Sequence, residues 1–149
     1  MQRIVVGVDG SETSKRALAF AIAEARSHGG AVEAVMVNPE PVPLWASMPE
    51  AMYYPVEEPE VRIKETREHL VRIIDEVSGD DRSVEITPVV EEGPIARRLL
   101  GLAEGADLLV VGSRGLGGFR NLMLGSVSHQ CVSHAPCPVV VIPPVETDD

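Results

Sequence analysis

The sequence has little of what a secreted or membrane-bound protein requires. Only 2 of its 149 residues are cysteines, Cys131 and Cys137, which is too few for a disulfide framework. No apolar run approaches the roughly 20 residues that a membrane-spanning helix needs. The N-terminus passes directly into a strand pattern, so we expect no signal peptide. These features together predict a cytoplasmic protein.

Basic residues are also scarce. Lys and Arg number 13 against 23 Asp and Glu, which gives a net charge of −10. Nucleic acids and anionic membranes are polyanions, so this balance argues against either as a general partner. The acids are unevenly placed, because none occurs between Leu108 and Val145. A stretch without carboxylates favours anion binding, and this region is therefore the first candidate for a site.

Short apolar runs alternate with amphipathic helical patterns along the chain. The runs predict strands at 4–8, 31–37, 83–90, 107–111 and 138–142. The helical patterns have apolar faces at Ala17, Leu18, Ala21, Ile22 and Ala25, then Ile63, Thr66, Leu70, Ile73, Ile74 and Val77, then Ile95, Ala96, Leu99, Leu100 and Ala103. A fourth helix is predicted after Gly125. Apolar strands separated by helices predict a parallel sheet covered on both faces, a doubly wound α/β fold in a single domain over residues 1–149.

Two segments depart from this regular pattern. Residues 38–60 form a long proline-rich loop that contains Trp45, Tyr53 and Tyr54, and residues 145–149 form an acidic tail. Loops of this length are often functional lids. A lid, a surface that contacts a partner and a surface excursion without a role all remain open for 38–60.

The strongest motif is Gly112-x2-Gly115-x9-Gly125-Ser126, which lies between the fourth strand and the last helix. Glycine lets a backbone approach a ligand closely, and the free N–H groups of a helix start attract phosphate. A Walker loop is excluded because Lys15 and Lys64, the only lysines, do not follow glycines. The dinucleotide fingerprint fails because its third glycine is replaced by Arg120.

A second loop has the same position in the fold. Asp9, Gly10 and Ser11 follow the first strand, as the glycine motif follows the fourth. Ligands bind doubly wound sheets outside the carboxyl ends of the strands, where the strand order reverses. If the first and fourth strands are neighbours, both loops open into one crevice.

On these residues the sequence resembles the universal stress protein family. The resemblance includes the opening segment from Ile4 to Ser11, the glycine motif and the closing segment from Ala135 to Val141. The glycine spacing is that of the family's ATP-binding branch. The resemblance implies a Rossmann-like sheet of the adenine nucleotide alpha hydrolase-like type, with five parallel strands and the first and fourth adjacent.

The resemblance also implies a set of binding residues for ATP, with or without Mg²⁺. In it, Asp9 engages the ribose, Val37 meets the adenine, Val111 and Gly112 line the nucleoside, and Gly115, Gly125, Ser126 and Val127 bind the phosphates, largely through backbone N–H groups. Arg114 is a further candidate, because its charge suits a triphosphate. Other adenine nucleotides remain open, because backbone N–H groups recognise the phosphate oxygens of any of them.

No catalytic or metal-binding residue is predicted. The residues His129, Cys131, His134 and Cys137 are possible zinc ligands, but a helix would point His129 away from Cys131 and His134. The very apolar strand from Pro138 to Ile142 is expected at a sheet edge, and the resemblance implies a homodimer joined through it. The preferred interpretation is an ATP-binding stress protein that acts as a nucleotide-dependent regulator. The alternatives are a slow ATPase or phosphoryl-transfer enzyme, and an interaction module that nucleotide stabilises.

Overall fold

A computed structural model describes residues 2–39, 58–115 and 124–145. Its strands are β1 (Arg3–Gly7), β2 (Ala31–Asn38), β3 (Ile86–Glu92), β4 (Leu108–Gly112) and β5 (Val139–Ile142). Its helices are α1 (Glu12–His28), α2 (Pro59–Ser78), α3 (Ile95–Leu102) and α4 (Ser126–His134). Most of the proline-rich loop 38–60 and of the acidic tail 145–149 lies outside the described residues, as does Arg120. None of the helices described in these ranges is long and apolar enough to cross a membrane.

The five strands form one parallel sheet in the order β3-β2-β1-β4-β5. The chain winds from β1 through β2 to β3 on one side, then returns to β4 beside β1 and continues to β5. Ile4 pairs with Leu108 and Val6 with Val110 across the β1–β4 boundary. The predicted doubly wound fold is therefore confirmed, and the loops after β1 and β4 open at the reversal point.

Two apolar layers hold the helices against the sheet. Alternate strand residues face opposite sides, so Ile4 and Val6 belong to the core under α1 and α2, whereas Val5 belongs to the core under α3 and α4. All three side chains are fully buried. Burial on both faces explains why these strands are continuous apolar runs in the sequence.

Helix α1 begins and ends at residue types that favour helix caps. The hydroxyl of Ser11 accepts a hydrogen bond from the N–H of Ser14 at 3.2 Å, and Glu12 lies in the first turn. The helix ends at Gly29, whose φ of 66° is in the left-handed region that favours glycine. Ser11 and Glu12 therefore fix the start of the helix immediately after the Asp9 loop.

Three predicted details are wrong. Ile63 is 40% exposed and Ile95 is 37% exposed, because both precede the parts of α2 and α3 that cover the sheet. In α2, burial begins at Leu70. Strand β3 begins at Ile86 and not at residue 83, because the carboxylate of Asp81 accepts the N–H of Ser83 at 2.8 Å and holds a turn there.

Arg3 links neighbouring elements at the amino ends of the strands, opposite the loops that follow β1 and β4. Its guanidinium binds both carboxylate oxygens of Glu33 at 2.9 and 3.0 Å. The same group donates to the carbonyls of Leu102 at 2.8 Å and Glu104 at 3.1 Å. One side chain thus connects β1, β2 and the end of α3.

Candidate functional site

The loops after β1 and β4 meet at the carboxyl edge of the sheet. A Cβ placed on Gly115 would lie 2.5 Å from Oδ2 of Asp9. Real Cβ atoms do not approach other atoms within 3.0 Å, so the carboxylate occupies space that any other residue at 115 would fill. The structure therefore brings the two predicted loops into a single crevice.

The Asp9 carboxylate is held in place by the start of α1. Its Oδ1 accepts hydrogen bonds from the N–H of Ser11 at 2.9 Å and from the hydroxyl of Ser11 at 2.6 Å. The N–H of Asp9 donates to the hydroxyl of Ser14 at 3.2 Å. These bonds orient an acceptor group toward the glycine loop before any ligand arrives.

Gly112 is needed for close packing between β4 and α1. A Cβ on Gly112 would lie 2.8 Å from Cγ2 of Thr13, a buried residue in the first turn of α1. The backbone of Gly112 thus passes directly beside the start of α1. This contact sets the distance between the two loops, because it joins the last residue of β4 to the helix that carries Ser11.

Ser113 connects the end of β4 to the beginning of α4. Its carbonyl accepts the N–H of Gly125 at 2.6 Å and the hydroxyl of Ser128 at 2.9 Å. The N–H of Gly125, which the resemblance offers to phosphate, is thus used within the protein in this structure. Donors remain beside it: no acceptor is found among the described residues for the N–H groups of Ser126 and Val127, and Gly125 caps α4 without a side-chain bond.

The predicted nucleoside residues differ in what they expose. The side chain of Val111 is 3% exposed and packs in the core under α3 and α4, so a ligand could reach only its backbone. Val37 is half-buried at the end of β2 and packs against the same core, as does Val127. Arg114 is half-buried between Ser113 and Gly115. Val37 lies two strands away from the glycine loop, because β1 separates β2 from β4.

A cleft of about 360 Å³ adjoins the start of α4. It is lined by Pro39, Gly93, Pro94, Ile95, Ala96, Ser126, Val127 and Gln130, none of which is acidic. Residues 93–96 are not among the predicted site residues. The available signal was the Gly93-Pro94 pair between β3 and α3, which marks a third loop at the same edge of the sheet.

Comparison with known proteins agrees with this architecture. The model of the universal stress protein family matches residues 1–143. The chain belongs to this family. A universal stress protein of Thermus aquaticus is 36% identical over 141 residues, which cover 93% of this chain and 96% of the relative.

Two solved universal stress proteins share the fold and are described as complexes with nucleotides. One is in complex with cAMP and matches with a TM-score of 0.64 at 24% identity; the match covers 95% of this chain and 96% of that protein. The other, from Archaeoglobus fulgidus, is in complex with dAMP and matches with a TM-score of 0.63 at 24% identity; the match covers 95% of this chain and 98% of that protein. The universal stress protein fold of this chain therefore has relatives that bind adenine nucleotides.

The cysteines of this universal stress protein lie away from the crevice. Cys131 is fully buried in the core under α3 and α4, and burial raises the pKa of its thiol to about 11. Cys137 is half-buried, and burial and the charge of Asp107 raise its pKa. Across residues 2–39, 58–115 and 124–145, no group of three or more His, Cys, Asp or Glu side chains is arranged to hold a metal ion.

Proposed function

We propose that this universal stress protein binds ATP in the crevice between the β1 and β4 loops and acts as a nucleotide-dependent regulator. The observation that carries the proposal is the approach of the Asp9 carboxylate to Gly115, together with the helix start at Ser126 and Val127, whose N–H groups have no acceptor among the described residues. In this proposal the Asp9 carboxylate is the acceptor for sugar hydroxyls and the start of α4 supplies the donors for phosphate oxygens. A nucleotide carries both kinds of group.

The phosphate half of the site is formed by the glycine loop and α4. The N–H groups of Ser126 and Val127 point from the positive end of the helix dipole, and the exposed Ser126 adds a hydroxyl. Arg114 contributes a positive charge to the same loop. No Asp or Glu lies between Leu108 and Val145 to repel an anion, and a triphosphate gains more from several donors than a single phosphate does.

The nucleoside half is formed by the Asp9 turn, the end of β2 and the backbone of Val111 and Gly112. The two relatives with bound ligands support adenine as the base, because cAMP and dAMP share adenine and one phosphate. The cleft beside Ser126 has the size of a small-ligand pocket and adjoins the phosphate half, whereas Asp9, Val37 and the Val111–Gly112 backbone do not line it. A micromolar dissociation constant corresponds to a binding free energy of only about 8 kcal/mol.

The test is to purify the full chain, denature it and identify any released nucleotide by mass spectrometry. The emptied protein is then titrated calorimetrically with ATP, ADP, AMP and cAMP, each with and without Mg²⁺. We expect ATP to be released and to bind most tightly. A protein that emerges empty and gives no binding heat with any of the four would overturn the proposal. Phosphate release well above that of a Gly115→Ala variant would favour the ATPase alternative.

We also propose that two copies of the chain pair through β5. The carbonyl of Pro138 accepts a hydrogen bond from Leu109 in β4 at 3.0 Å, and that of Ile142 accepts one from Ser113, directly after β4, at 2.8 Å. The backbone groups of the odd-numbered residues between them, Val139 and Val141, therefore point outward. On the opposite edge, Glu85 bonds inward to β2, which points Pro88 of β3 outward. Proline has no N–H to donate, so β5 is the edge better suited to pairing.

A further inference from the structure

Helix α2 contributes one side chain to the Asp9 turn that the sequence motifs do not predict. Nε2 of His69 lies 3.4 Å from the position that a Cβ on Gly10 would occupy. Gly10 follows Asp9 directly and has a φ of +89°, in the region that favours glycine. The imidazole ring therefore lies against the same turn that orients the Asp9 carboxylate.

The backbone that carries His69 is firmly held. The next residue, Leu70, is fully buried in the core. Earlier in α2, Nδ2 of Asn38 donates to the hydroxyl of Thr66 at 2.8 Å, and Arg62 pairs with Glu92 at 2.7 Å. These contacts fix α2 to the ends of β2 and β3, so the His69 ring stays near the turn.

The ring itself is exposed, and none of the residues that the structure describes forms a hydrogen bond with it. A neutral imidazole has one nitrogen that donates and one that accepts. His69 thus offers a hydrogen-bonding group beside Gly10, on the α2 side of the Asp9 turn. The phosphate donors lie on the other side, on the β4 loop and α4.

On the basis of the nucleotide binding proposed above, we propose that His69 hydrogen-bonds a ribose hydroxyl and makes the site prefer ribonucleotides. The sugar has two neighbouring hydroxyls, and Oδ1 of Asp9 already accepts two hydrogen bonds from Ser11. These two bonds use the lone pairs of Oδ1, so any contact of the carboxylate with the two hydroxyls is concentrated on Oδ2. His69 supplies the second partner next to it.

The test compares calorimetric affinities for ATP, 2′-deoxy-ATP and 3′-deoxy-ATP. The variants are His69→Ala, His69→Gln, whose amide replaces the ring nitrogen, and His28→Ala, an exposed histidine at the far end of α1. One net hydrogen bond corresponds to about 2- to 12-fold in affinity. We expect the wild type to bind at least one deoxy analogue more weakly than ATP by this factor. The His69→Ala variant should lose the same factor in its affinity for ATP and keep its affinity for that analogue. His69→Gln should retain most of the preference for ATP, and His28→Ala should retain all of it.

A second readout follows the ring directly. In histidine-labelled protein, the His69 signals are assigned by their absence in His69→Gln, and ATP should shift them more than the discriminated deoxy analogue does. If His69→Ala loses affinity equally for ATP and both analogues, or loses none, the sugar contact is overturned. The proposed function still stands in that case, because the wild type binds ATP. A wild type that binds no adenine nucleotide overturns both.

Discussion

The Asp9 carboxylate occupies the space that a side chain at Gly115 would need, because its Oδ2 lies 2.5 Å from the position of a Cβ there. The carboxylate and the glycine loop are therefore complementary surfaces that come from distant parts of the sequence. The crevice depends on the missing side chain as much as on the charged one. This relationship can be tested by adding a single methyl group.

Gly115→Ala should weaken ATP binding at least tenfold, equivalent to about 1.4 kcal/mol. The new Cβ displaces either the Asp9 carboxylate or the glycine loop. The matched control is Gly101→Ala in α3, where a Cβ meets nothing within 4 Å. That control should bind ATP normally and be slightly more stable, by up to about 1 kcal/mol. Calorimetry and thermal unfolding check both variants, and unchanged affinity in Gly115→Ala would contradict the site.

Gly112→Ala should destabilise the fold by about 1–3 kcal/mol, because the added Cβ overpacks the contact with Cγ2 of Thr13 at 2.8 Å. Thr13→Ser removes that methyl group and keeps the hydroxyl. The double variant should therefore recover much of the lost free energy of unfolding. Urea denaturation of the two single variants and the double variant measures the coupling. Additive effects would show that the two residues do not interact.

Much of the fold could be predicted from the sequence, because both the apolar strands and the helix caps have local signatures. The adjacency of β1 and β4 came only from the family resemblance, since periodicity does not encode strand order. The exposure of Ile63 and Ile95 was missed because a helical stripe does not show where the sheet beneath it ends. His69 was missed because its contact with Gly10 joins a helix to a distant loop, and no sequence spacing relates the two. The use of the Gly125 N–H by Ser113 depends on a turn geometry that the glycine motif does not specify.

The Asp81→Asn variant should change the acid sensitivity of the protein. The side chain and N–H of Ser83, followed by Arg26, lower the pKa of Asp81 from 3.8 to about 2. A lowered pKa in the folded state means that the carboxylate stabilises the fold above pH 4 and that this contribution is lost as the pH falls toward 2. The wild type should thus lose stability more steeply than Asp81→Asn between pH 4 and 2. Parallel slopes in urea denaturation would contradict this assignment.

The two cysteines should react with iodoacetamide at different rates. At pH 8 the thiol of Cys131 stays protonated and shielded, because it is fully buried with a pKa of about 11. Cys137 is only half-buried, although its pKa is also raised. Mass spectrometry of the native protein should show slow labelling at Cys137 and none at Cys131, with both labelled in urea. Rapid native labelling of Cys131 would contradict the packing under α3 and α4.

Val141→Pro should convert the proposed dimer to monomers. The substitution removes an outward N–H of β5 and leaves the hydrogen bonds to β4 in place. The matched control is Val90→Pro, at an outward position of β3, where proline already occurs naturally two residues earlier, at Pro88. Sedimentation analysis should show monomers for the first variant and dimers for the second. A dimeric Val141→Pro protein would rule out pairing through β5.

Pro88 also determines how far such pairing can proceed. A twofold dimer through β5 consumes the open edge of both copies and leaves two β3 edges at the ends of a continuous ten-stranded sheet, each interrupted by a proline. A sheet that cannot add a further strand cannot grow into a fibril. For the dimer proposed above, one imino acid on the outer strand would therefore make association self-limiting at two subunits.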